Sequence, residues 1–530
     1  SWYNPRLHPE RAIQRRNTVI HQMVKYDFLH EEEGERAKET ALELNYKAVN
    51  HYTGLAPYLR EKIRRDASEI IAAYNTTHGT AYNLYKDRLI LTTTLNADMQ
   101  RYAEAAVKEH MKKLQHEFYT HWENREPWYN KPQVLEQAIQ NSPVYLSLKG
   151  QGYNEKQIAE IMNRKKAMMV YSAYQGEASA EMSSIDSLKH YLKILHPGMI
   201  AVEPNSGKIR VWIGDLDYKY FQYDQVEAPR QVGSVFKPVV YSAAIHNGAQ
   251  LDAYYKNEQK TYKEYEDWTP RNSDNDYTGY YTLKGALSKS INTIAVEVLL
   301  QTGIEKTIVH ARNLGIKSEL PQYPSLALGS ADIPLSEMIL PYMCFANAGK
   351  LMTPYYLLEI RDQSGTVLYQ APVPEAKEVL PSQEAYVMSN ILSAVINEGT
   401  GRRLRTTYGL KNELAGKTGT TQNQADGWFI GYNSRIVVGI RVGANDRNIH
   451  FNSIRLGQGA HMALPIFGLF MRECLKDPAY ARWESLSFPL VPVAEQKELD
   501  TPIFQEKMNL FERIGNKKLK KRALVHPTDT

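Results

Sequence analysis

What most constrains this chain is the order of its short β-branched runs about a long helical span. Met199-Ile200-Ala201-Val202, the turn Pro204-Asn205-Ser206-Gly207 and Ile209-Arg210-Val211-Trp212-Ile213 read as strand, turn, strand. Residues 234–350 are mainly helical, with Gly and Pro punctuation. Residues 428–443 return to strand in Trp428-Phe429-Ile430-Gly431-Tyr432 and Ile436-Val437-Val438-Gly439-Ile440-Arg441-Val442. Strands, then helices, then strands predict an α+β fold, with helices packed on an antiparallel sheet.

The chain has 530 residues, room for two to four units at about 100–200 residues per domain. Its 43% hydrophobic and 23% charged residues are a globular mix. A net charge of +5 is too mild to argue for nucleic acid. The two cysteines, Cys344 and Cys474, cannot make a disulfide framework, and Cys344 beside Phe345 reads as core. No run approaches the roughly 18 apolar residues of a membrane span. Ser1-Trp2-Tyr3-Asn4-Pro5 lacks the charged and apolar regions of a signal peptide, and no Met begins the chain. It reads as a piece of something longer.

Pro9 opens a helix, which the acidic Glu31-Glu32-Glu33-Gly34 segment is expected to end as a turn. A second helix runs roughly from Tyr58 to Tyr74, a strand spans Leu89 to Leu95, and Asn96 caps a helix over about Met99 to Leu114. Residues 115–185 are expected to form a helical insertion with loops. His110, His116 and His121 are irregularly spaced on a helix surface and read as solvated, without a zinc pattern. The tail from Gly515, with Lys517, Lys518, Lys520, Lys521 and Arg522, is expected to fray.

Three segments could carry chemistry. Gly233-Ser234-Val235-Phe236-Lys237-Pro238 opens an apolar stretch, and Pro238 suits the first turn of a helix. Ser234 and Lys237 then lie one turn apart at a helix N-terminus, a plausible nucleophile and base. Free Lys is neutral in about one molecule in 2,500 at pH 7, and lowering its pKa by about 3 units raises that to about a quarter. Burial and a second lysine would do this. The bland reading is chance, since S-x-x-K occurs about once in such a chain. In Ser288-Lys289-Ser290-Ile291-Asn292-Thr293, Ser290 and Asn292 could face a cleft, or simply cap the helix that follows. Gly416-Lys417-Thr418-Gly419-Thr420-Thr421 is not a phosphate loop, because that motif needs glycine where Lys411 stands. On a strand, Lys417 and Gly419 would point to one face and Thr418 and Thr420 to the other. Gly419 would let a substrate backbone approach, and a strand edge could offer a donor to an oxyanion. The bland reading is a polar loop.

Together, S-x-x-K, a middle Ser-x-Asn and K-T-G are the signature set of penicillin-binding proteins and class A β-lactamases. The chain resembles a class A penicillin-binding protein, a bifunctional peptidoglycan synthase. Further segments carry the likeness: Arg230-Gln231-Val232-Gly233-Ser234, Trp268-Thr269-Pro270-Arg271-Asn272, Ala327-Leu328-Gly329, Phe345-Ala346-Asn347-Ala348-Gly349, Gly399-Thr400-Gly401 and Asp426-Gly427-Trp428-Phe429-Ile430-Gly431-Tyr432. Asn4-Pro5-Arg6-Leu7-His8-Pro9-Glu10-Arg11-Ala12 and Arg15-Arg16-Asn17 resemble the end of the family's glycosyltransferase domain, and Thr93-Thr94-Leu95-Asn96 its entry into the transpeptidase part. The middle motif reads Ser290-Ile291-Asn292 and not S-D-N.

The resemblance implies a penicillin-binding transpeptidase or serine β-lactamase-like domain over 199–490. Before it come a glycosyltransferase remnant with connecting helices over 1–75 and a linker or insertion over 76–198; a tail follows over 491–530. It implies a D,D-transpeptidase in which Ser234 attacks the penultimate D-Ala carbonyl and Lys237 takes its proton. Ser290, helped by Lys417, protonates the departing D-Ala. Asn292 holds the substrate amide, and Lys417, Thr418, Gly419 and Thr420 form the rest of the substrate site. Backbone donors of Ser234 and Thr420 serve the oxyanion. No metal or cofactor is implied. The implied partners are peptidoglycan stem peptides, β-lactams acylating Ser234 and, in the parent, a lipid-linked precursor. The implied place is the extracytoplasmic face of the cell membrane, held by an N-terminal segment outside this sequence. Alternatives are a D,D-carboxypeptidase, a β-lactamase, a β-lactam sensor and a non-catalytic scaffold.

Overall fold

The computed structural model describes residues 2–44, 52–489 and 493–507. It divides into a unit ending at Thr53 and a larger one from Gly54 onward. The smaller unit is a pair of helices, Pro9–Lys25 and Glu31–Glu39. The segment Glu31–Gly34, expected as a terminating turn, instead begins the second helix. Asp27, at φ 58, breaks the first helix earlier, and three glutamates suit the positive end of a helix dipole. Gly34 is a packing residue there, since a Cβ would press on Val24 Cγ2 at 2.5 Å. Arg16 donates to the Lys38 and Thr40 carbonyls (2.9 and 2.7 Å), closing the second helix at its negative end.

The larger unit is built on a five-stranded antiparallel sheet. Its strands are β1 (Leu195–Val202), β2 (Ile209–Ile213), β3 (Ala415–Thr420), β4 (Asp426–Tyr432) and β5 (Val437–Ala444). Their order is β3-β4-β5-β1-β2, all antiparallel. The expected α+β architecture is therefore present, and the helical span 234–350 separates the two halves of one sheet.

Residues alternate between the sheet's faces. Ile200, Val202, Trp428, Ile430 and Val437 join one core; Met199, Ala201, Phe429, Val438 and Ile440 join another. Burial on both faces explains why these strands are apolar almost throughout. The second core is covered by α1 (Ala97–His121) and, later in the chain, Leu464–Lys476. Asn96 caps α1, accepting from Asp98 N and Met99 N, as its position suggested. The first core is covered by α2 (Lys237–His246), α3 (Leu283–Lys289), α4 (Asn292–Thr302), α5 (Leu335–Ala346) and α6 (Ser382–Asn397). Gly439 lets α5 seat on β5, because a Cβ there would press on Leu335 Cδ1 at 2.7 Å.

Three further expectations need correction. Residues 115–185 contain helices but also an antiparallel hairpin, Lys166–Ser172 with Gly176–Met182. Its first strand carries adjacent apolar residues in place of strict alternation, so the period-2 signal was weak. His110 is not solvated: it is buried against the Met462 carbonyl at 3.0 Å, and burial pushes its pKa down to about 3. Residues 493–507, assigned to a tail, contain the helix Val493–Leu499 and a strand, Phe504–Gln505, paired with Tyr280–Tyr281. The basic stretch from Gly515 lies outside the described residues. Cys344 and Cys474 are both free and buried, in separate cores.

Candidate active site

Ser234 lies in a short 3-10 helix, Gly233–Phe236, that runs into α2 at Lys237. Pro238 occupies the first turn, where no intrahelical donor is lost. Gly233, at φ 57, has no room for a side chain, since a Cβ would come 2.6 Å from the Thr420 carbonyl oxygen. The serine turn therefore lies directly against the end of β3. From below, Gly233 N donates to the Gly329 carbonyl (2.9 Å) and Val232 N to that of Ala331 (3.2 Å). Tyr342 on α5 donates to the Val235 carbonyl at 2.8 Å. The Ala327-Leu328-Gly329 segment is thus the floor of this turn.

Lys237 and Lys417 are both fully buried. Lys237 donates to the Ser290 carbonyl and to Asn292 Oδ1, both at 2.6 Å, and its amine lies 3.3 Å from Ser290 Oγ. Lys417 donates to Ser290 Oγ and to the Thr418 carbonyl, both at 2.9 Å. One serine hydroxyl thus bridges two buried amines, neither of which is paired with a carboxylate among the described residues. Burial drives the Lys237 pKa well below its usual value, and the Lys417 charge adds to this. Burial lowers that of Lys417 to about 7.

Ser290 and Asn292 are not the cap of the helix that follows. Ser290, at φ 60, ends α3 in the left-handed region, and Asn292 is the first residue of α4. That sharp junction turns both side chains toward Lys237. Asn292 Nδ2 donates to the Arg271 carbonyl at 2.7 Å.

The Lys417 segment is the edge strand β3 and not a polar loop. Backbone donors on the outer side of an edge strand have no partner within the sheet. Thr418 Oγ1 shares a hydrogen bond with Thr400 Oγ1 (2.6 Å), and Thr420 Oγ1 accepts from Gly459 N (3.1 Å). Gly419 faces the serine turn. A Cβ there would lie 2.9 Å from Val235 Cγ1 and 3.1 Å from the Val232 carbonyl oxygen. The close approach it permits within the protein is that of the serine turn.

Lys237, Ser290, Asn292 and Lys417 are thus joined by hydrogen bonds. Ser234, half-buried beside β3, stands outside that chain of bonds. Sequence reasoning gave no role to Thr400 or Asn272. Thr400 reaches β3 because Gly399 packs on the Ser288 carbonyl, to which Thr400 N also donates at 3.2 Å. The signal for both was their place in the segments Gly399-Thr400-Gly401 and Trp268–Asn272.

Comparison with known proteins bears on the family and the fold. The family model described as penicillin binding protein transpeptidase domain matches residues 198–448. The one described as penicillin-binding protein middle domain matches residues 122–195, covering much of the region expected as an insertion. Penicillin-binding protein 1A of Aquifex aeolicus is 31% identical, over 89% of this chain and 63% of the relative. That of Pseudomonas aeruginosa is 28% identical, over 90% of this chain and 66% of the relative. The chain therefore spans under two thirds of the length of these curated relatives. The crystal structure of penicillin-binding protein 1A from Haemophilus influenzae superposes with a TM-score of 0.65 at 20% identity, covering 93% of this chain and 80% of that one. PonA1 of Mycobacterium tuberculosis, solved in complex with penicillin V, gives 0.55 at 18% identity, covering 83% and 96%. These two likenesses are of fold. With middle and transpeptidase domains in series, and the sequence of the 1A relatives along most of its length, the chain belongs to the class A penicillin-binding proteins.

Proposed function

We propose that this chain is a serine D,D-transpeptidase that cross-links peptidoglycan stem peptides and is acylated by β-lactams at Ser234. The observation that carries the reading is the pair of buried amines joined through Ser290 Oγ. A serine hydroxyl needs a base, and a buried lysine whose pKa is driven down supplies one at neutral pH. Ser234 Oγ attacks the penultimate D-Ala carbonyl, and its proton passes to Lys237. Collapse of the tetrahedral adduct breaks the C–N bond to the terminal D-Ala. The departing nitrogen receives a proton through Ser290, which Lys417 assists. General acid–base help of this kind is worth about 10²–10⁴-fold. The amine of a second stem peptide then attacks the ester, forming the cross-link and returning Ser234 to its hydroxyl form.

Lys417, protonated, with Thr418 and Thr420 receives the terminal carboxylate, and Asn292 the substrate amide. The backbone donors of Ser234 and Thr420 serve the oxyanion, each worth about 3–4 kcal/mol. The family resemblance extends the proposal: we propose that the parent polymerises glycan from a lipid-linked precursor and works on the extracytoplasmic face of the membrane. Among the described residues no helix is long and apolar enough to cross a membrane.

The test is covalent labelling with a fluorescent penicillin, read by intact mass. A single adduct that persists for hours and disappears in Ser234→Ala supports the transpeptidase. Rapid loss of the adduct with accumulation of hydrolysed drug means a β-lactamase. No adduct from the folded chain rejects the reading.

A further inference from the structure

Helix α4 begins without a cap of its own. Its N-cap residue is Ile291, whose side chain accepts nothing. The first backbone donors of a helix have no intrahelical partner and are costly to bury unpaired. Two of them are satisfied from another loop: Asn272 Oδ1 accepts from Asn292 N (2.9 Å) and Thr293 N (3.1 Å). Asn272 is only 5% exposed. Its amide nitrogen donates to Asn257 Oδ1 (2.8 Å) and the Asp276 carbonyl (2.7 Å). Thr293 Oγ1 closes the cluster by donating to Asn257 Oδ1 at 2.8 Å. Each partner of the Asn272 nitrogen accepts and each partner of its oxygen donates, so the amide has one orientation.

The neighbouring residue completes the grip. Asn292 Nδ2 donates to the Arg271 carbonyl, and a carbonyl only accepts. Asn292 Oδ1 is thereby turned toward Lys237, at 2.6 Å. A neutral primary amine has two N–H bonds and one lone pair. The two shortest partners of Lys237, Asn292 Oδ1 and the Ser290 carbonyl, are both acceptors and take both N–H groups. What remains for a hydroxyl is the lone pair, which is what a base must present.

We propose that Asn272 is a positioning residue for the acylation step: by capping α4 from outside, it holds Asn292 so that the Lys237 amine offers its lone pair to the serine hydroxyls. This rests on the transpeptidase reading above.

The test is acylation of the full chain by a fluorescent penicillin, followed to saturation so that limiting rate and apparent affinity separate. Asn272→Ala is expected to lower the limiting rate about 10- to 100-fold, with the single Ser234 adduct retained and apparent affinity within about threefold. A folded Asn272→Ala with the wild-type limiting rate overturns the proposal. So does a loss confined to affinity. Should Asn272→Ala fail to fold, Asn257→Ala decides, since it removes one of the two acceptors that orient the Asn272 amide, together with the partner of Thr293 Oγ1. A lower limiting rate then supports the proposal, and an unchanged one overturns it. If the wild-type chain is not acylated, the transpeptidase reading fails instead.

Discussion

Two amines buried without counter-charges are a cost that the native state carries. The pKa of Lys417 is about 7 in the folded protein, whereas the unfolded chain keeps the ordinary value near 10.5. Between those values the unfolded chain holds a proton that the native protein does not, so stability rises with pH across that window. Lys417→Met should therefore raise the melting temperature near neutral pH. Its advantage should shrink between about pH 7 and about pH 9.5 as the wild type gains. The same variant should lose acylation, because Ser290 and the incoming carboxylate lose their partner. Thermal scans at several pH values check the first point, and penicillin labelling the second. A Met variant less stable than wild type at pH 7 would mean that the hydrogen bonds to Ser290 Oγ and the Thr418 carbonyl outweigh the burial of the charge.

The serine turn and strand β3 work as one element because glycines let them touch. Gly329, at φ 70, stands against the backbone of Gly233, and a Cβ there would collide with the Gly233 carbonyl oxygen. The obstacle is backbone, which cannot swing aside as a flexible side chain would. Gly329→Ala should displace the Ser234 turn and reduce the acylation rate by about 10²-fold, the usual cost of roughly 1 Å of misplacement. Gly409, also at positive φ (66) but with nothing near its Cβ, is the control. Gly409→Ala should carry only the backbone cost and leave acylation within about threefold, since nothing is displaced. Rates measured side by side decide this; equal losses in the two variants would remove the steric argument.

Across the larger unit, the sheet carries a buried polar thread as well as two apolar cores. Arg441 on β5 is fully buried and bonds Asp426 on β4, through Nε at 2.7 Å, and Gln225 at 2.6 Å. Gln225 Nε2 donates to Asn445 Oδ1 (3.0 Å), and Asn445 Nδ2 reaches His196 at 3.1 Å. His196 in turn is 2.8 Å from Asp215. Asp426 also anchors the turn that follows Thr420, where its N–H donates to Thr421 Oγ1 at 2.8 Å. Removing one member of a buried ion pair strands its partner, at about 3–5 kcal/mol. Arg441→Met should therefore destabilise strongly, and the double variant Arg441→Met with Asp426→Leu should recover much of the loss. Melting temperatures of the three proteins check this; a double variant less stable than the single one would refute it.

The candidate site was legible in the sequence because its signals are local. Ser234 and Lys237 lie one helical turn apart, a proline marks where that helix begins, and Lys417 and its neighbours fit a strand. The apolar runs at 199–213 and 428–443 likewise announced a sheet, since burial on both faces leaves few polar residues to blur them. What could not be read there depends on residues distant in sequence. Asn292 is capped by Asn272, Thr418 is tied to Thr400, and Gly419 is fitted to Val232 and Val235, all through contacts that no local period records. His110 looked like a surface histidine until the Met462 carbonyl came to face it. The hairpin at 166–182 was hidden for a related reason: its apolar residues answer to what packs on them, not to strict alternation. Local spacing named the candidate groups; long-range packing set which hydrogen-bond partners each of them meets.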